Sequence, residues 1–240
     1  MQNSPKTTPE PQHIDILLFD RFSVHCLANT VEPLRAANTL AEQDLYVWRF
    51  LTLDGLPVSS SSAMQVAPHL PLREGAGDAL YVMPSYGVRT LDRWDVARAL
   101  RAAAAKYGVI AGFDTGCGLL ARAGLLTGHR ATIHWDELTA FVETFPDVDT
   151  QRERFVIDGN RMTCSGAMAA FDLVTHLIGQ VHGPLLAMDV AQLFMMRDTA
   201  PMSQVGSSGV GKPVARAMEV MQANLDQPLT IPEVARRIGC

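Results

Sequence analysis

Apolar residues come in two textures along this 240-residue chain. Four short runs, His13-Ile-Asp-Ile-Leu-Leu-Phe19, Tyr46 to Leu53, Ala79 to Met83 and Val109 to Phe113, end in polar or turn residues and predict buried strands. Between them apolar residues recur at helical spacing. Val24, Leu27, Val31, Leu34 and Leu40 mark one helix, and Leu91, Trp94, Leu100 and Ala104 a second. Cys117 to Ala123 and Asp136 to Phe145 predict two more, and Met168, Phe171, Val174 and Ile178 a further one behind short strands near Phe155 and Met162. Asp54-Gly55 closes the second strand, and Ser59 to Ser62 reads as a loop. Strand and helix alternate, with crossovers long enough to make neighbouring strands parallel, so the fold class is α/β with helices on both faces of a layered sheet.

After Met196 the pattern changes. Asp198 to Lys212 is small, polar and glycine-rich, the composition of a linker. Val214, Met218, Met221 and Leu225 then give an amphipathic helix, and Thr230-Ile-Pro-Glu233 forms a capping box in front of Val234, Ala235 and Ile238. Gly239 supplies a left-handed turn four residues after Ala235, as at the corner of a helix-turn-helix. The expected organisation is a disordered tail over 1–12, a main domain over 13–197, a linker over 198–212 and the start of an all-α unit over 213–240.

Composition narrows the class. Apolar residues make up 48% and charged residues 19%, which suits a packed globular chain and no disordered one. The polar, proline-rich start is no signal peptide, and no apolar run is long enough to span a bilayer. Cys26, Cys117, Cys164 and Cys240 lie far apart, which argues against a disulfide framework or a zinc site and for reduced thiols in the cytoplasm. No metal or cofactor is expected. The net charge of −5 argues against nucleic-acid binding over the whole surface. The last thirty residues nevertheless carry +1, with Arg236 and Arg237 side by side, against −6 for the remainder.

The strongest chemical signal is Gly112-Phe113-Asp114-Thr115-Gly116, a strand followed at once by a helix. Its spacing is that of a nucleophile elbow, in which small flanking residues permit a strained turn and the central side chain stands over the sheet. Here that side chain is a carboxylate, expected to be kept ionised by the helix start behind it. It can hold a cationic group, act as a nucleophile, or merely cap the helix. Cys117 lies one helical turn further on and packs as a small hydrophobe. His134, beside Trp135 at a strand end, is a pocket candidate, as is Glu32 on the first helix. Gly206 to Pro213 approaches a phosphate-binding loop, but proline stands where a magnesium-ligating hydroxyl belongs and no strand precedes it.

Taken together, these residues resemble the AraC-type transcriptional regulators whose N-terminal domain is class I glutamine-amidotransferase-like, of the intracellular-protease branch. The resemblance is carried by Leu18 to Ser23, Glu32-Pro-Leu-Arg-Ala-Ala-Asn38, Gly124 to Trp135, Phe145-Pro-Asp147, Phe155 to Asp158, Thr163 to Ala167 and Pro228 to Gly239. It implies a flavodoxin-like sensor domain that dimerises, followed by the opening of an AraC-type DNA-binding domain. Catalytic relatives carry a cysteine at the elbow, where this chain has Asp114, and their histidine and helix-borne glutamate fall at His134 and Glu32. Tyr86 stands where their oxyanion-hole backbone belongs.

The Asp-Thr-Gly elbow is similar to that of regulators sensing amino acids or methylated amines such as glycine betaine, carnitine, sarcosine or arginine. Asp114, Glu32, Tyr86 and Trp135 could then meet a cationic nitrogen, with His134 in the pocket, and the amides at Thr115 and Gly116 a ligand carboxylate. Arg236 and Arg237 would serve promoter DNA. The chain stops before a reading helix, so weak or absent operator binding is expected of it. Two other readings stay open: a hydrolase or amidase using Asp114 or Cys117 with His134, and a stand-alone binding module.

Overall fold

The computed structural model describes residues 10–194, 217, 220–221 and 229–239. The chain forms two compact units, Met1–Phe194 and Met195–Cys240. The first is built on a seven-stranded sheet. Its strands are β1 (Gln12–Leu18), β2 (Tyr46–Thr52), β5 (Leu70–Pro71), β6 (Gly77–Met83), β7 (Tyr107–Phe113), β10 (Phe155–Asp158) and β11 (Arg161–Cys164). Their order across the sheet is β10-β11-β7-β6-β1-β2-β5. Every pairing is parallel except that of β10 with β11, a hairpin that closes one edge. Two short ribbons, β3 (Val58–Ser59) with β4 (Gln65–Val66) and β8 (Arg130–Ala131) with β9 (Asp149–Thr150), lie outside the main sheet.

Alternation along the strands divides the core in two. Ile14, Ile16 and Leu18 of β1 and Ala79, Tyr81 and Met83 of β6 point into one apolar cluster. There they meet α1 (Val24–Ala41), α5 (Ala167–His182) and α6 (Pro184–Phe194). Leu17, Leu80, Val82 and Ile110 point to the opposite face, against α2 (Trp94–Ala104), α3 (Gly116–Arg122) and α4 (Leu138–Thr144). Covering both faces is what makes central parallel strands read as continuous apolar runs. The expected α/β, mostly parallel, flavodoxin-like architecture with helices on both faces is the one observed.

Several details depart from the sequence pattern. The second helix begins at Trp94, after a 3₁₀ turn over Val88–Leu91, and Trp94 itself is exposed, with the Arg98 guanidinium 4.7 Å above its ring. Met168 and Leu40, placed on apolar faces by spacing, are exposed as well. Helix α1 starts where Ser23 caps it, its hydroxyl oxygen accepting the Cys26 amide at 3.2 Å.

In the second unit the helix Ile231–Ile238 has the expected start and stop. The Glu233 carboxylate accepts from the Thr230 amide at 2.8 Å and from its hydroxyl at 2.7 Å, and Gly239 is left-handed at φ 81°. Val234 is buried, while Arg236 and Arg237 are exposed. The expected tail over 1–12 ends earlier than expected, since Gln12 already belongs to β1; its residues 1–9, the linker over 198–212, most of the helix around Met218 and Cys240 lie outside the described residues.

Candidate functional site

The chain runs from β1 outward to β2, then returns to the other side of β1 as β6, so the strand order reverses between β1 and β6. Ligands of open α/β sheets collect outside the carboxyl ends of the strands at such a reversal. A cavity of about 410 Å³ lies there, lined by Ser23 and His25 from the start of α1, Ser85 to Thr90 after β6, and Asp114 and Thr115 after β7. His134, Asp136, Glu137 and Ala167 complete its wall.

The elbow is strained as its sequence predicts. Asp114 has φ 59°, a left-handed conformation that an aspartate tolerates better than most residues. Its amide donates to the Cys164 carbonyl at 3.1 Å, and its carbonyl accepts from the His134 amide at 3.2 Å. The flanking glycines are there for space. A Cβ on Gly112 would stand 2.8 Å from the Cys117 nitrogen, and one on Gly116 2.2 Å from the Val82 carbonyl oxygen. The turn is thus pressed between the end of β6 and the first turn of α3, and only glycine fits at either side.

Asp114 is 7% exposed, and its carboxylate accepts one side-chain hydrogen bond, from the Ser85 hydroxyl at 3.2 Å. The Thr115 hydroxyl in turn donates to the Ser85 carbonyl at 3.1 Å, tying the two loops together. Burial raises the Asp114 carboxyl above the ordinary carboxylate range, although His134, the Ser85 hydroxyl and the Thr115 amide all pull the other way. The expectation that the helix start keeps this group low is therefore overturned. A single amide reaches the carboxylate, and burial outweighs it. Helix capping is not its task either, since the cap residue of α3 is Thr115.

Of the residues singled out in the sequence, Asp114, Thr115, His134 and Tyr86 line the cavity, and Glu32, Trp135 and Gly116 do not. Gly116 faces β6. Glu32 pairs with Arg35 at 2.7 Å on the outer side of α1. The α1 residue electrically close to Asp114 is Cys26, whose buried thiol is pushed well above its usual value by burial, then by Cys164 and Asp114. Trp135 is 74% exposed and lies against the His134 ring at 5.6 Å. Tyr86 is exposed, with the Arg21 guanidinium 5.9 Å from its ring centre.

Glu32 is a candidate through the resemblance to catalytic relatives, and the structure sets it outside the cavity. Ser85, His25 and Arg89 carried no signal of their own. The Pro84-Ser85-Tyr86-Gly87 turn that brings Ser85 into place was visible, but its aim was not. Cys117 is fully buried, and burial holds its thiol well above the usual range. Among the described residues no cluster of histidine, cysteine or carboxylate side chains could hold a metal ion.

Comparison with known proteins places this geometry in a lineage. The regulator CdhR of Pseudomonas aeruginosa is 37% identical over 232 residues, which cover 92% of this chain and 68% of CdhR. The chain belongs to the AraC family of helix-turn-helix transcriptional regulators. GbdR of the same organism is 35% identical over 239 residues, and this chain spans 65% of its length.

Among solved structures, an AraC-family regulator from Pseudomonas putida superposes with a TM-score of 0.68 at 26% identity, over 77% of this chain and all of that one. DJ-1beta of Drosophila melanogaster, at a TM-score of 0.64 and 18% identity, shares the fold alone. An isonitrile hydratase from Pseudomonas putida is 30% identical over 155 residues, covering 63% of each chain. No family model matches the chain. No helix among the described residues is long and apolar enough to cross a membrane.

Proposed function

We propose that the first unit is a sensor without catalytic activity, which binds a small amine or amino acid at Asp114 and thereby governs an AraC-type DNA-binding domain beginning in the second. The observation that carries this reading is Asp114 itself. It is a buried carboxylate with one long side-chain hydrogen bond, on the wall of a cavity at the sheet's reversal point. A cationic nitrogen entering the cavity supplies the partner the fold withholds, and His134 and Ser85 lie beside it to orient the ligand.

In this reading the protein works inside the cell as a homodimer, and promoter DNA is its partner. Arg236 and Arg237, exposed on a capped helix, support the DNA contact. Acyl transfer is disfavoured because the elbow carries no thiol, and the nearby Cys117 is sealed in the core with its proton held tightly.

The test is a thermal-shift screen of the chain with glycine betaine, carnitine, sarcosine and arginine, alongside Asp114→Asn, which keeps the left-handed turn. A ligand at about 100 times its Kd stabilises the fold by roughly 2.7 kcal/mol. A hit that disappears in the variant supports the reading, and a hit that survives it removes Asp114 from the site. The relationship to an isonitrile hydratase favours a second reading, in which Asp114 and His134 activate water for attack on a substrate. Turnover of an isonitrile, ester or amide that is lost in both Asp114→Asn and His134→Gln would establish it.

A further inference from the structure

The Asp114 cavity has a neighbour of different character. A second cavity of about 330 Å³ lies between α3 and α4. The apolar part of its wall includes Val88, Leu119, Ile133, Phe141 and Phe145 beside Gly118, and Leu119, Ile133 and Phe141 belong to the buried core behind it. Val88, Arg89, Thr115 and Glu137 line both cavities. Thr115 follows Asp114 directly, so the apolar space begins one residue from the carboxylate.

The boundary between the two spaces is an ion pair, Arg89 to Glu137 at 3.6 Å, with Arg89 82% exposed. A pair this long and this wet holds little energy and parts at little cost. The cation at the far rim, Arg122, is already neutralised. It grips Asp92 at 2.6 and 2.7 Å and lies 4.9 Å from the centre of the Phe145 ring. The second cavity therefore sets a mainly hydrocarbon wall behind rim charges that are matched in pairs, Arg89 with Glu137 and Arg122 with Asp92.

Resting on the sensor reading above, we propose that the ligand is an amino compound with an aliphatic chain. Its charged head sits at Asp114, and its chain passes Arg89 and Glu137 into the cavity beside Gly118. Chain length then sets specificity, and Gly118 is the residue that keeps the space open. Each methylene taken from water into such a wall improves affinity roughly fourfold. Gly118 also makes the idea testable, because a Cβ there meets only the Ile133 Cδ1 atom, at 3.7 Å, an ordinary contact. A Cβ at this position therefore meets no backbone within 4 Å outside its own helix, and a side chain built on it has the cavity beside it.

The experiment is calorimetric titration of the full chain with glycine, norvaline, norleucine and 2-aminooctanoate, one head group with a lengthening chain. Wild type should bind more tightly along the series, by roughly fourfold per methylene until the cavity is filled. Gly118→Leu should erase that gain, so that the longer members bind no more tightly than glycine does to the same variant. Gly118→Ala, which adds a single methyl, should trim it for the longest member, and it serves if leucine prevents folding. A flat series, a gain that survives both variants, or no binding by any member overturns the proposal. Asp114→Asn separates the two readings. Binding that depends on Asp114 but not on chain length sinks the aliphatic subsite and leaves the sensor standing, whereas binding indifferent to Asp114 sinks the sensor reading.

Discussion

Two aspartates of the first unit are buried to a similar degree and treated in opposite ways. Asp15, in the middle of β1, accepts both Nε and Nη2 of Arg49 at 2.8 Å and the Tyr107 hydroxyl at 2.7 Å. The fold even clears space for this cluster, since a Cβ on Gly75 would lie 2.4 Å from the Tyr107 oxygen. Asp114, at the end of β7, accepts one hydroxyl at 3.2 Å and has its backbone in a left-handed strain. A carboxylate surrounded by short, charge-assisted bonds is spent on holding strands together. One left short of partners beside a cavity is, in the proposed reading, the anchor for a ligand. Burial alone does not tell the two apart; the partner list does.

Removing the partners' target should separate them most sharply. Asp15→Ala leaves Arg49 without its counter-charge between β1 and β2, and truncating one member of such a pair costs about 3 kcal/mol, the low end for buried pairs because Arg49 is one-third exposed. Urea denaturation should show this loss, while ligand affinity at Asp114 stays unchanged in the protein that remains folded. A cost below about 1 kcal/mol would dissolve the distinction. Tyr107→Phe deletes a single short bond to a charged acceptor and should cost about 2 kcal/mol in the same assay.

At the elbow the sign reverses. The Asp114 carboxyl is raised in the folded chain by burial, so the native state holds its proton more readily than the unfolded state does. Its contribution to stability is complete below the ordinary carboxylate range and is lost as pH rises through the folded-state value. At neutral pH the ionised group is a burden. Asp114→Asn should therefore stabilise the ligand-free chain by about 1 kcal/mol at pH 7. That is roughly 2–4 °C in Tm for a domain of this size. It should also flatten the fall in stability above the carboxylate range. A lower Tm at pH 7 would mean that the carboxylate has a partner the ligand-free fold already supplies.

The contrast between the aspartates was only half legible in the sequence. The central strands were visible because both sheet faces are covered and their residues run apolar without a break. The elbow was visible because Gly112 and Gly116 are required by contacts of 2.8 and 2.2 Å. Asp15, by contrast, is a lone polar residue in an apolar run, and its partners stand 34 and 92 positions away. His25 reaches the cavity from the start of α1 and Ser85 and Arg89 from the segment after β6, and only the strand order brings those together. Glu32 was drawn toward the site by resemblance, whereas the turn of α1 that faces the sheet presents Cys26. The raised Asp114 carboxyl needed the burial itself, because local reasoning from a helix start points the other way.

The smallest expected effect tests the comparison on equal chemistry. Ser85→Ala, like Tyr107→Phe, deletes one hydroxyl that donates to a buried carboxylate. At 3.2 Å, however, the Ser85 bond is longer than the usual range for hydroxyl donors, where the Tyr107 bond sits near its optimum. Ser85→Ala should therefore cost about 0.5 kcal/mol, well under the Tyr107 value. The Ser85 hydroxyl is one of the groups holding the Asp114 carboxyl down, so its loss should move the fall in stability to higher pH. Denaturation of both variants across a pH series measures the two effects together. Equal losses at the two sites would mean that Asp114 is as firmly built in as Asp15, and that the ligand must find its anchor elsewhere on the cavity wall.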